Sequence, residues 1–156
     1  MNFETAGPGD GCEWHSMRGR IMRTAGNTTQ ESITVRRHGM VRKEQYEIAE
    51  KLGGTGKGKA YLYHIVSEEN LYGQGRMYAK IVLPPGSTVG WHQHVGETEP
   101  YYILSGEGTF IDNDESRTTV HAGDICTILP GQCHSLENNS DEDLVFIALI
   151  YFDAEH

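Results

Sequence analysis

His92 and His94 stand one residue apart in the stretch GSTVGWHQHVGETEP, with Glu97 and Glu99 close behind, and His134 follows in GQCHSLEN. Side chains alternate faces along a strand. A strand through these residues sets both imidazoles on one face and Gln93 on the other. Two imidazoles on one face, with a carboxylate nearby, can bind a divalent cation without rearrangement. One buried histidine alone reads as a hydrogen-bonded core residue. Two at i and i+2, an acid and a distant third histidine reverse that reading. Imidazole and carboxylate form a donor set of intermediate hardness, compatible with one divalent transition metal: Fe, Mn, Ni, Co, Cu or Zn. The set contains no thiolate, which disfavours a cysteine-rich structural zinc. Four protein ligands on a metal that prefers six leave two positions open to a chelating substrate, or to substrate and dioxygen.

The spacing carries a family resemblance. Gly86, five residues, His92-x-His94, four residues, Glu99, six residues and Gly106 resemble the first motif of the cupin superfamily. Gly123, then Gly131, two residues, His134, three residues and Asn138 resemble the second. One proline is displaced: Leu129 stands where the motif has proline, and Pro130 follows. The resemblance covers roughly residues 60–152. It implies metal ligands His92, His94, Glu99 and His134, and it favours Glu99 over Glu97, which follows His94 too soon for the motif. It also implies a small single-domain protein, all-β, folded as a double-stranded β-helix (jelly-roll) barrel.

Several neighbours bear on the chemistry. Tyr101 shares strand parity with Glu99 and is expected to face the pocket, as acid, base or hydrogen-bond donor; it is the candidate catalytic residue. Trp91 has the opposite parity to His92 and belongs on the outer face. Cys126 and Cys133 read as small buried hydrophobes. His121 reads as a surface residue beside the turn at Gly123. His64 can face either side of its strand. Arg76, Lys80 and Arg117 could bring positive charge to a pocket, but their parity is open.

Runs rich in branched and aromatic residues are expected as strands over 60–66, 76–83, 89–95, 100–104, 108–112, 117–120, 124–129, 134–137 and 144–152. The sequence DNDE at 112–115 marks a hairpin turn. Short strands at this spacing indicate a sandwich or barrel. Ahead of them, VRKEQYEIAEKL at 41–52 reads as one short helix stopped by Gly53-Gly54, and GGTGKGK as a flexible linker without phosphate-loop spacing. Residues 1–39 read as a flexible N-terminal extension, with an exchanging arm as the alternative, and 40–156 as a single domain. The extension holds five arginines against four acids, whereas the remainder holds eight bases against 18 acids.

The net charge of -9 disfavours nucleic acid and anionic membrane as partners. No apolar run approaches the length of a membrane span. Three cysteines do not form a disulfide scaffold, and a cytoplasmic setting is the simplest expectation. The expected function is metal-dependent chemistry on a small polar molecule, either sugar-related isomerase or epimerase chemistry or that of a dioxygenase. The other class is a non-catalytic cupin that binds metal and a small ligand. The resemblance and the outward Trp91 together imply a homodimer. Metal binding is expected to weaken as pH falls through about 6, because each ligating imidazole must be neutral.

Overall fold

The computed structural model describes residues 41–154, so the extension expected over 1–39 lies outside the described residues. Ten strands run in chain order: β1 (Glu47–Glu50), β2 (Lys59–Val66), β3 (Gly75–Leu83), β4 (Thr88–Gln93), β5 (Glu97–Ser105), β6 (Glu107–Ile111), β7 (Arg117–His121), β8 (Ile125–Ile128), β9 (Cys133–Glu137) and β10 (Leu144–Phe152). A 3-10 turn, Glu68–Leu71, joins β2 to β3. One sheet has the order β1-β2-β3-β10-β5-β8, the other β4-β9-β6-β7, and every pairing is antiparallel. The inner faces share one apolar core. Ile81, Ile103 and Phe146 come from the larger sheet, and Val89, Phe110 and Leu136 from the smaller. This is the expected jelly-roll barrel. Among the described residues no helix is long and apolar enough to cross a membrane.

The helix expected over 41–52 is not formed. Residues 41–46 lack regular structure, β1 follows, and the chain turns at Lys51–Thr55. An isolated helix of this length is marginal in water, while β2 offers a free edge. Glu47 pairs with Leu62 and Glu50 with Lys59. Tyr46 packs on the rings of Tyr61 and Tyr63, at 5.5 and 5.3 Å between centroids. Glu47 accepts a 2.9 Å hydrogen bond from His64 Nε2. Long-range pairing overrides a local helical pattern.

The glycine-rich stretch after β1 is packed, not a free linker. Gly53 and Gly56 are buried, and the Gly90 N–H donates to the Leu52 carbonyl at 2.8 Å. A Cβ on Gly53 would lie 2.7 Å from the Gly90 carbonyl oxygen and 3.0 Å from His92 Nδ1. A Cβ on Gly90 would lie 2.3 Å from the Gly56 nitrogen. Only glycine permits backbones to approach this closely. The loop therefore braces β4 from behind, at the level of His92.

Candidate metal centre

Four buried residues from three strands and a loop meet inside the barrel. His92 comes from β4, Glu99 from β5 and His134 from β9; His94 lies just past the end of β4. His92 and His134 are direct cross-strand partners. A bulge in β4 sets their register. Val89 faces Leu136 and His92 faces His134, so three steps on β4 match two on β9. The extra residue lies at Gly90-Trp91. It lets Val89 and His92 both face inward while Trp91 turns to the outer face. There Trp91 lines an open groove of about 510 Å³ with Ile111, Arg117, Ser135 and Glu137 among its other walls.

The four candidate ligand atoms all lie within 4.8 Å of one another. His94 Nε2 is 3.0 Å from His92 Nε2 and 3.1 Å from His134 Nε2, and the last pair is 3.3 Å apart. Glu99 Oε2 lies 3.0 Å from His134 Nε2, 3.1 Å from His94 Nε2 and 3.9 Å from His92 Nε2. Hydrogen bonds on the far side of two rings fix their tautomers. His92 Nδ1 is 2.8 Å from the Gly90 carbonyl, which can only accept, so Nδ1 carries the hydrogen. His94 Nδ1 is 2.9 Å from Glu97 Oε1 and donates to that carboxylate. In the neutral rings, both Nε2 atoms then present bare lone pairs to each other at 3.0 Å. That arrangement is repulsive unless a positive charge lies among them. Glu99 Oε2 and His134 Nδ1 are also buried without a well-formed hydrogen bond. The donor set fits a divalent transition metal, and the cluster could hold one.

The titration behaviour shows the same demand for positive charge. Burial lowers the proton affinity of His94, but the Glu97 and Glu99 carboxylates outweigh it and raise its pKa to about 9. Burial and the neighbouring His134 push His92 down to about 4. Burial would raise both carboxyls. In Glu97 the contacts with Arg76 and His94 win, and its pKa falls to about 2. In Glu99 the His134 and His94 imidazoles win, and the carboxyl stays below the ordinary carboxylate range. One proton held on His94 supplies the charge that a metal would otherwise supply.

Of the two acids weighed in the sequence, Glu99 joins the cluster and Glu97 stands behind His94. Arg76 grips Glu97 with two hydrogen bonds, Nε to Oε2 at 2.7 Å and Nη2 to Oε1 at 2.5 Å. Glu97, Glu99 and Tyr101 alternate along β5 and are all buried. That shared parity is the signal by which Glu97 could have been assigned a place beside the site. Tyr101 is 2% exposed, with its ring centroid 5.2 Å from that of His134 and 4.7 Å from that of Phe146. Burial, then the adjacent Glu99 charge, raises its phenol well above the ordinary value. Tyr101 therefore holds its proton at neutral pH.

The remaining candidates fall elsewhere. Lys80 points out to Glu44 at 2.6 Å, and Arg117 pairs with Glu137 at 2.5 Å on the outer face. His121 is on the surface near Glu107, and His64 bonds Glu47. Cys126 and Cys133 are buried. Asn138 is fully buried and acts as a clamp, donating to the Leu83 and Glu142 carbonyls at 2.7 and 2.8 Å. The displaced proline leaves the turn intact: Gln132 N–H donates to the Leu129 carbonyl, and the Gln132 side chain accepts from Leu129 N–H.

Comparison with known proteins agrees with this geometry. A family model described as the cupin domain matches residues 79–150. The chain is 46% identical over 95 residues to a protein of Thermotoga maritima named an oxalate-binding protein, covering 61% of this chain and 78% of that protein. A crystal structure described as a predicted oxalate decarboxylase, also from Thermotoga maritima, superposes with a TM-score of 0.67 at 42% identity, covering 70% of this chain and 94% of that one. An uncharacterized Klebsiella pneumoniae protein with a double-stranded β-helix domain gives a TM-score of 0.53 at 20% identity, covering 62% and 80%, and shares the fold alone.

Proposed function

The chain belongs to the cupin superfamily, and from that premise we propose that it binds one divalent transition metal through His92, His94, Glu99 and His134 and uses the complex to hold a small chelating anion. The observation that carries the reading is the pair of tautomer-fixed imidazoles, His92 and His94, whose bare Nε2 atoms meet at 3.0 Å. Nothing but a proton or a cation relieves that contact. When bound, the metal would supply Lewis-acid attraction for a chelating ligand at its open positions. The chain's own residues do the rest. Glu99 keeps its negative charge, and Tyr101 offers a buried hydroxyl beside it. A short dicarboxylate is the first ligand to test, because a relative carries the name oxalate-binding protein.

Metal analysis of protein purified without added metal, followed by calorimetric titration with oxalate, tests the reading. We expect near one equivalent of metal and oxalate binding that disappears after chelation. Oxalate bound equally well by metal-free protein would overturn it.

Catalysis is the second reading, with dioxygenase or isomerase chemistry as the wider family range, and Tyr101 is the observation that favours it. A buried phenol that holds its proton beside the proposed metal site can donate it to a bound substrate. Tyr101→Phe should then keep the metal and lose about 10²-fold in turnover. A protein whose oxalate, keto-acid or sugar turnover is absent with every metal is a binding module.

We further propose that residues 40–156 form one domain that pairs as a homodimer. Tyr102, Leu104 and Ile125 lie exposed on the six-stranded sheet, with Ile125 70% accessible. A monomer by light scattering at micromolar concentration would refute the pairing. The acidic charge leaves nucleic acid outside the proposed partners.

A further inference from the structure

His94 differs from the other two histidines in what stands behind it. His92 is backed by a backbone carbonyl, Gly90, and His134 Nδ1 has no hydrogen-bond partner. His94 is backed by a carboxylate that is itself clamped by two hydrogen bonds from Arg76. Glu97 is 8% exposed and His94 fully buried, so neither group is shielded by bulk water. The cation and its acid come from distant parts of the sequence: Arg76 lies on β3 and Glu97 on β5, with β10 between them in the sheet. Joining the two across an intervening strand fixes the carboxylate from both sides.

Resting on the metal reading above, we propose that Arg76 and Glu97 are positioning residues for the metal centre, forming a relay Arg76–Glu97–His94 that holds His94 in the Nδ1–H tautomer with Nε2 aimed at the cluster. Glu97 is not a ligand. It accepts the Nδ1 hydrogen and thereby leaves the Nε2 lone pair free for the ion. Arg76 grips both carboxylate oxygens, Nε on Oε2 and Nη2 on the Oε1 that His94 also uses, so Glu97 cannot swing inward to compete with Glu99. A carboxylate behind a ligating imidazole also raises the ring's basicity, and outer partners of this kind commonly govern 10–100-fold in metal affinity. Lysine at position 76 would keep the charge but lose the two-pronged grip.

The test compares wild type, Glu97→Gln and Arg76→Lys by Co(II) titration, ¹⁵N spectra of the histidine rings and thermal melting of the metal-free protein. Glu97→Gln should weaken Co(II) binding about 10–100-fold and mix the His94 tautomers in the metal-free spectrum recorded at high pH, where the ring is neutral. Arg76→Lys should shift both readouts in the same direction by less. It also keeps the test decisive should Glu97→Gln not fold. A lowered melting temperature with Co(II) affinity and the His94 tautomer both unchanged would reduce the pair to a structural ion pair and overturn the proposal. Wild type that binds no Co(II), Mn(II) or Fe(II) would instead sink the metal reading. The ring spectra would still report whether Glu97 holds His94.

Discussion

Along β9, His134 and Leu136 stand two residues apart and both are fully buried, yet they belong to different regions of one barrel interior. Leu136 stands opposite Val89 and Phe110 in the smaller sheet and shares the apolar core with Leu144, Phe146 and Ile103, all three without measurable exposure. Around His134 lie His92, His94 and Glu99. The same strands build both ends: β4 carries Val89 and His92, β5 carries Glu99 and Ile103. The apolar end is held by burial, which is non-directional and tolerates exchange of similar volumes. The polar end is held by assigning each proton and lone pair, and it remains incomplete without a positive charge. The barrel can therefore fold on one end and function on the other.

Losing a ligand should have the largest effect. His134→Ala should reduce metal affinity by more than the roughly 100-fold that an outer partner commands, while the metal-free protein keeps its strand content by circular dichroism. Unfolding of that variant without metal would show that the two ends are not separable. Next in size is the mirror-image change. Phe146→Ala should cost about 3–5 kcal/mol in denaturant unfolding and leave the metal affinity of the folded fraction close to wild type. A large affinity loss there would mean that the apolar end positions the ligands.

The pH dependence is smaller and separates the ends by sign. With His94 raised to about 9, the metal must displace its proton at neutral pH. Apparent affinity should rise about tenfold per pH unit up to about 9, one proton being released per ion. His92, lowered to about 4, adds a second proton only in acid. This places the principal transition well above the value near 6 expected from ordinary imidazoles. For metal-free protein the sign reverses. The folded pKa of His94 lies above its ordinary 6.5, so its contribution to stability is full below 6.5 and is lost as pH rises through about 9. Equal buffer-corrected affinities at pH 6 and 8 would refute the assignment. The smallest effect belongs to Tyr101, on the border between the ends. Tyr101→Phe removes one buried hydroxyl and should cost about 1 kcal/mol in stability with metal retained. A severalfold loss of metal would place the hydroxyl within the polar end.

The sequence makes much of this barrel legible because strand alternation is local. β2 through β10 coincide with the expected strands to within two or three residues at their ends, and His92, His94, Glu99 and His134 do converge. Features set by distant contacts were not legible. β1 carries a helical local pattern and becomes a strand because β2 presents an edge. The glycines at 53–56 look like a linker, and only the fold brings them against Gly90. The bulge at Gly90-Trp91 is signalled by a glycine inside a strand, but its consequence for His92 needs the β9 register. The role of Glu97 depends on Arg76, across an intervening strand.

β10 is the last of the ten strands among the described residues, yet it lies between β3 and β5 and pairs with both. Until it is in place, the six-stranded sheet is divided into separate pieces, one carrying Arg76 and the other Glu97 and Glu99. Pairings between segments so far apart along the chain make folding slow compared with that of local structures. During synthesis at about 5–20 residues per second, the earlier strands emerge with unmatched edges and wait for the one that joins them. An ion that arrives in that interval meets His94, Glu97 and Glu99, neighbours in sequence, before Arg76 is brought behind Glu97. The Arg76–Glu97 contact is thus among the last to form, tied to the closing of the sheet by β10.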